Sequence, residues 1–139
     1  MNYLLDTCVV SELVKPLPNK AVVRFLNTVP DNRLFLSVIT IGELRKGINK
    51  LPDSKKRNKL DDWLNNLLVN YKEQLYAVDA EVAEIWGILQ ANAENKGSPM
   101  ASIDSLIAAT ARTHNLILVT RNEKDFTASD IEVLNPWDS

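Results

Sequence analysis

Asp6, Glu43, Asp104 and the pair Asn122 and Asp125 are the oxygen-bearing residues whose places in the chain could support chemistry. Asp6 directly follows the apolar Tyr3-Leu4-Leu5, so a short strand there would deliver its carboxylate to the rim of a sheet. Capping the helix that follows is an equally good job for it. Glu43 points away from the helical stripe formed by Ile41, Leu44 and Ile48, and as an exposed acid near a helix start it needs no function. Asp104 is more demanding. With Ile107, Ala108 and Ala111 it follows i, i+3, i+4, i+7 spacing, which sets a carboxylate on an apolar helix face. A charge there must be compensated or neutralised.

The stretch Ile117-Leu118-Val119-Thr120-Arg121-Asn122-Glu123-Lys124-Asp125-Phe126 ends an apolar run and turns polar, so Asn122 or Asp125 could complete an oxygen-rich site. A plain polar turn with Phe126 tucked into the core is the alternative. Carboxylates brought together raise one another's pKa unless a cation sits among them. Mg2+ suits such a site, because it prefers oxygen ligands and is held by one or two carboxylates plus waters. Zinc is disfavoured: Cys8 and His114 are the only thiol and imidazole, and no zinc-ligand spacing exists. His114, at a helix end, reads as a dipole or solvent group.

The elements that must position these residues follow from patterning. Short apolar runs alternate with helical segments, which indicates βαβ units and an α/β fold on a parallel sheet. Strands are expected at Tyr3 to Leu5, Leu34 to Val38, Leu75 to Val78, Ile117 to Val119 and Ile131 to Leu134. Helices are expected at Val9 to Val14, Lys20 to Thr28, Ile41 to Lys50, Lys55 to Tyr71, Ala80 to Asn95 and Ile103 to Thr113. Asp53 or Ser54 can cap the long central helix, and Lys96-Gly97-Ser98-Pro99 is the clearest turn.

With 139 residues, 45% hydrophobic and 24% charged, residues 1–139 are expected to form one domain with one core. Cys8 cannot form an internal disulfide and the N-terminus carries no secretory pattern, which points to the cytoplasm. Charges interrupt every apolar run, so no membrane insertion is expected. A net charge of −2 argues against large nonspecific attraction to nucleic acid. The basic run of Arg45, Lys46, Lys50, Lys55, Lys56, Arg57 and Lys59 reads first as a solvated helix face.

Leu4-Leu5-Asp6-Thr7, Ile41-Gly42-Glu43-Leu44, Ile103-Asp104-Ser105-Leu106-Ile107-Ala108 and Thr120-Arg121-Asn122 with Asp125-Phe126 together resemble PIN-domain proteins. The branch is similar to VapC-type toxins, and the closing Asn135-Pro136-Trp137 to FitB-type proteins. The resemblance implies a three-layer α/β/α sandwich and Mg2+- or Mn2+-dependent endoribonuclease activity. It also implies RNA as substrate, hydrolysed with a metal-activated water, and a cognate antitoxin as partner in a type II toxin–antitoxin pair.

On that resemblance Asp6 and Asp104 hold the metal, while Glu43 and Asp125 orient water and accept a proton. Thr7, Thr120 and Asn122 are candidate supports. Relatives often carry Asp where this chain has Asn122, so either its amide oxygen or Asp125 completes the site. Cys8 stands where Asn is common. Arg121 and Lys124 are candidates for the RNA backbone, with exposed turn charges as the plain alternative.

Val9, Leu13, Val22, Val23 and Phe25 could form a homodimer surface or receive an antitoxin segment, with core packing as the simpler reading. Trp63, Trp86 and Trp137 read as packing residues. The rival functions are a catalytically silent PIN-fold binding module and a phosphoacceptor domain. The second fits poorly, for no paired acids follow the first strand.

Overall fold

The pleat of the strands decides the layering. In the computed structural model, which describes residues 1–138, Leu4 and Leu118 pack into one core, while Tyr3, Leu5 and Val119 pack into another. Successive side chains leave a strand on opposite faces, so the two cores lie on opposite sides of one sheet. The sheet holds β1 (Tyr3–Leu5), β2 (Leu34–Ser37), β3 (Leu75–Tyr76), β4 (Ile117–Val119) and β5 (Val133–Leu134) in the order β3-β2-β1-β4-β5. Every pair is parallel.

Helices α1 (Thr7–Glu12), α2 (Lys20–Thr28), α3 (Val38–Asn49) and α4 (Lys55–Asn70) supply the core on the Leu5 face, with Val9, Val10, Val22, Leu44, Ile48 and Leu64 buried against Leu5, Leu34, Leu36 and Val119. On the other face α5 (Ala80–Asn95) and α6 (Ser102–Thr113) bury Val82, Leu89, Ile107, Ala108 and Ala111 against Leu4 and Leu118. The result is the expected α/β/α sandwich. No helix among the described residues is long and apolar enough to cross a membrane.

Cap chemistry moves several boundaries. Ser37 accepts the Ile39 N–H at 3.0 Å, so α3 begins at Val38, where the apolar pattern continues the strand. Asp6 does the same for α1 by accepting the Thr7 N–H, which starts that helix two residues before the expected Val9; the helix stops at Glu12, short of the expected Val14. Ser54 caps α4, its hydroxyl accepting the Arg57 N–H at 3.2 Å. β3 and β5 are shorter than the apolar runs that suggested them, spanning Leu75–Tyr76 and Val133–Leu134. Gly97 turns the chain between α5 and α6 with φ of 74°, the left-handed region that a glycine enters without strain.

Core packing, the simpler reading of the early helices, holds for most of them, since Val9 and Val22 are fully buried and Phe25 packs against the same core; Leu13 stays exposed. The tryptophans pack as expected, and the Trp86 Nε1–H also donates to Ser105 Oγ at 2.9 Å. The polar stretch after β4 forms a 3-10 segment, Glu123–Ser129, anchored by Phe126 at 2% exposure. Phe126→Ala should lower unfolding stability by about 3–5 kcal/mol, read by urea denaturation, because the pocket it leaves cannot close completely.

Candidate active site

β1 lies between β2 and β4, and the chain winds outward from it on one side before returning to the other. The carboxyl ends of β1 and β4 therefore flank the switch point of the sheet, where ligands of open α/β folds collect. Asp6 ends β1 and Thr120 follows β4. The Thr120 hydroxyl donates to Asp6 Oδ2 at 2.8 Å, and both residues are buried. Asp6 Oδ1 accepts the Thr7 N–H at 2.8 Å, so helix cap and site residue are one and the same side chain.

Glu43 sits one turn into α3 and is half-buried, not the freely exposed acid that its spacing suggested. Its Oε1 accepts the Thr7 hydroxyl at 2.5 Å, and that hydroxyl also lies 3.4 Å from Thr40 Oγ1. Thr7 thus ties the acid after β2 to the acid after β1. Asp104 lies in the first turn of α6, half-buried above Ile107, Ala108 and Ala111, as the apolar spacing predicts. Its carboxyl is pushed up to about 6, first by burial and then by the charges of Asp125, Asp6 and Glu43. Acids from four separate segments therefore act on one another.

Asp104 and Asp125 open onto a shared groove with Lys96, Ser98, Lys124 and Thr127, while Glu43 opens onto a neighbouring one. Asn122 lies in a shallow depression with Arg121, Glu123 and Asp125. Its backbone N–H donates to Thr120 Oγ1 at 3.1 Å, and its carbonyl accepts the Asp125 N–H at 3.0 Å. Asp125 is thus the closer electrostatic partner of Asp104, and Asn122 shapes the turn that presents it. Among the described residues, no three His, Cys, Asp or Glu side chains close into a ready-made ligand set. The donors at this edge are carboxylate oxygens, the ligand type of a hard cation such as Mg2+, and not the thiolate and imidazole set of a soft one.

Several contacts were not visible in spacing. The Cys8 thiol lies 3.7 Å from Asp6 Oδ2 as donor and 3.5 Å from Thr120 Oγ1, and it accepts the Arg121 N–H at 3.5 Å. Burial pushes that thiol up, which keeps it protonated beside Asp6. Glu12 is buried: it pairs with Lys15 at 2.8 Å and accepts the Asn19 N–H at 2.8 Å, joining α1 to the start of α2. Lys15 is the main reason that its carboxyl sits below the usual range. His114 caps the C-terminus of α6, the helix-end place expected of it, and its ring also stacks on Tyr76 with centroids 3.7 Å apart. Arg121 lies 5.3 Å from the Trp137 ring centre, a cation–π contact that fixes an arginine beside the site.

A parallel α/β sheet with carboxylates gathered at its switch point defines the class. The chain belongs to the PIN-domain family, whose model matches residues 3–131. It is 38% identical to Toxin FitB of Neisseria gonorrhoeae over 96% of this chain and 97% of that one. It is 32% identical to VapC ribonuclease Y4jK of Sinorhizobium fredii, over 97% of each chain. The FitAcB crystal structure from Neisseria gonorrhoeae contains a chain that superposes with a TM-score of 0.94 at 38% identity, covering 99% of both.

The raised Asp104 carboxyl carries a signed pH dependence. Between its ordinary value of 3.8 and about 6, the folded metal-free protein holds a proton that the unfolded chain has lost, so stability falls as pH rises through that window. Denaturant titrations in EDTA should show this decline, and Asp104→Asn should flatten it.

Proposed function

We propose that the protein is a Mg2+-dependent endoribonuclease, with Mn2+ as the alternative cation, acting as the toxin of a type II toxin–antitoxin pair. The observation that carries the reading is the gathering of Asp6, Glu43, Asp104 and Asp125 from four segments at the carboxyl edge of the sheet, where burial and then the other three charges push the Asp104 carboxyl up. Asp6 and Asp104 would hold the cation, one from each side of the switch point. When bound, the cation would supply a lowered water pKa and offset charge on the scissile phosphate.

The remaining work falls to the chain. Glu43, oriented by the Thr7 hydroxyl, positions the attacking water and takes up its proton, with Asp125 as the second acceptor across the site. Thr120 fixes the Asp6 carboxylate, and the Asn122 N–H fixes Thr120 in turn. Lys124 shares the groove of Asp104 and Asp125, which suits it to a phosphate oxygen.

Relatives named as a toxin and as a ribonuclease support RNA as substrate and a cognate antitoxin as partner. The free thiol of Cys8 agrees with a reducing cytoplasm. The exposed Leu13, beside a groove lined by Val23, Leu26 and Tyr71, is where we place a second copy of the chain or the antitoxin.

Cleavage of structured RNA in Mg2+ tests the reading against a catalytically silent binding module, the rival that gains from Asn122 supplying no charge. Asp104→Asn should lower the rate on the order of 100-fold or more while the fold is retained, and EDTA should abolish cleavage by the parent. Equal cleavage by both proteins would assign the activity elsewhere.

A further inference from the structure

The helix face that carries Glu43 continues away from the acids as an open trough. Gly42, Glu43, Lys46, Gly47 and Lys50 recur at spacings that place them on one face of α3, and Ile103, 41% exposed, forms the opposite wall. Lys46 and Lys50 are exposed, and among the described residues neither has an ion-pair partner. Their neighbour Arg45 differs, being engaged with Asp61 at 2.6 Å to tie α3 to α4.

The trough floor is also unusual for a helix. A glycine in a helix interior costs about 1 kcal/mol against alanine. Yet, beyond the chain neighbours and the helix's own backbone, nothing lies within 4 Å of the Cβ that either Gly42 or Gly47 would carry, and neither has a positive φ. Neither packing nor backbone geometry asks for glycine here. The trough floor is therefore open to close approach from outside the chain, as the surface at Gly87 on α5 also is.

We propose that this trough is the path of a single-stranded RNA backbone leaving the acidic site, with Lys46 and Lys50 bonding successive phosphates and Gly47 letting the sugar–phosphate chain touch the helix. This rests on the ribonuclease reading and adds a direction to it. Four helical residues advance roughly 6 Å along the axis, comparable to one nucleotide of an extended strand. Ile103 offers the exposed apolar contact that unstacked bases use and a duplex keeps hidden. Beyond the acids, Lys96 and Lys124 line the groove of Asp104 and Asp125, so cations flank the site on both sides of a chain whose net charge is −2.

The test is binding of a labelled, unstructured RNA by the full chain carrying Asp104→Asn, measured by fluorescence anisotropy across a salt series. Lys46→Ala with Lys50→Ala should weaken binding to all sequences alike and reduce the log–log salt slope by about 1.4, the sum of two phosphate contacts on a single strand. Gly47→Gln should keep or raise the urea midpoint, because the helix gains propensity and the new Cβ meets open space, yet bind RNA more weakly. Lys55→Ala with Lys56→Ala, on exposed residues at the start of α4, should change little.

Parent-like binding by both trough variants would overturn the path while leaving the ribonuclease reading intact. An equal loss from the α4 pair would overturn it in favour of diffuse attraction. Normal RNA binding by Gly47→Gln, with loss of a co-expressed protein partner, would overturn it in favour of a protein ligand. No RNA binding by the parent, in Mg2+ or in EDTA, would overturn the path and the ribonuclease reading together.

Discussion

Repulsion among carboxylates at the carboxyl edge of the sheet is the constraint on which the rest of the structure depends. Burial first, and then the charges of Asp125, Asp6 and Glu43, push the Asp104 carboxyl up to about 6, and a folded chain gains nothing from that arrangement by itself. Like charges in a half-buried setting lower stability, and proteins keep such settings where function needs them. The fold supplies the force that keeps the acids together, because each one is fixed to an element whose burial has nothing to do with charge. Asp104 rides on a helix whose next turns are sealed against Leu4 and Leu118, and Asp125 precedes the buried Phe126.

Hydroxyl groups then convert rough proximity into orientation. Thr120 and Thr7 reach across chain separations of 114 and 36 residues to bond Asp6 and Glu43. Each hydroxyl is neutral, so it directs a carboxylate without cancelling the negative potential that would attract a cation. Cys8 adds a weaker donor to the same Asp6 oxygen and takes a backbone N–H from the β4 loop, stitching the two sides of the switch point. Asn122 acts through its backbone in the same stitching, which leaves the fourth charge to Asp125.

Much of this was legible in the sequence. The layering followed from short apolar runs between amphipathic segments, and helices over Lys20–Thr28 and Ala80–Asn95 matched their periodicity. Asp104 stood out because an acid on an apolar face demands compensation. Glu43 did not, because its engagement depends on Thr7, a partner 36 residues away that no local spacing reveals. The strand ends at Ser37 and Tyr76 were misjudged for a related reason: apolar residues continue past them, and only cap chemistry or the end of pairing stops the strand. His114 found its ring partner through tertiary packing, whereas Glu12 pairs locally with Lys15, three residues on. The lysines of α3 and α4 looked alike in sequence, and the fold separates a pair lining a trough from others on an open surface.

Thermal unfolding at pH 7 across a Mg2+ series tests the central claim most directly, since an ion that binds only the folded protein must stabilise it by mass action. The account predicts a melting temperature that climbs with Mg2+ in the parent, and an Asp104→Asn protein that starts higher in EDTA and barely responds. A parent indifferent to Mg2+, or a variant that responds equally, would contradict the claim that these acids are gathered to receive a cation.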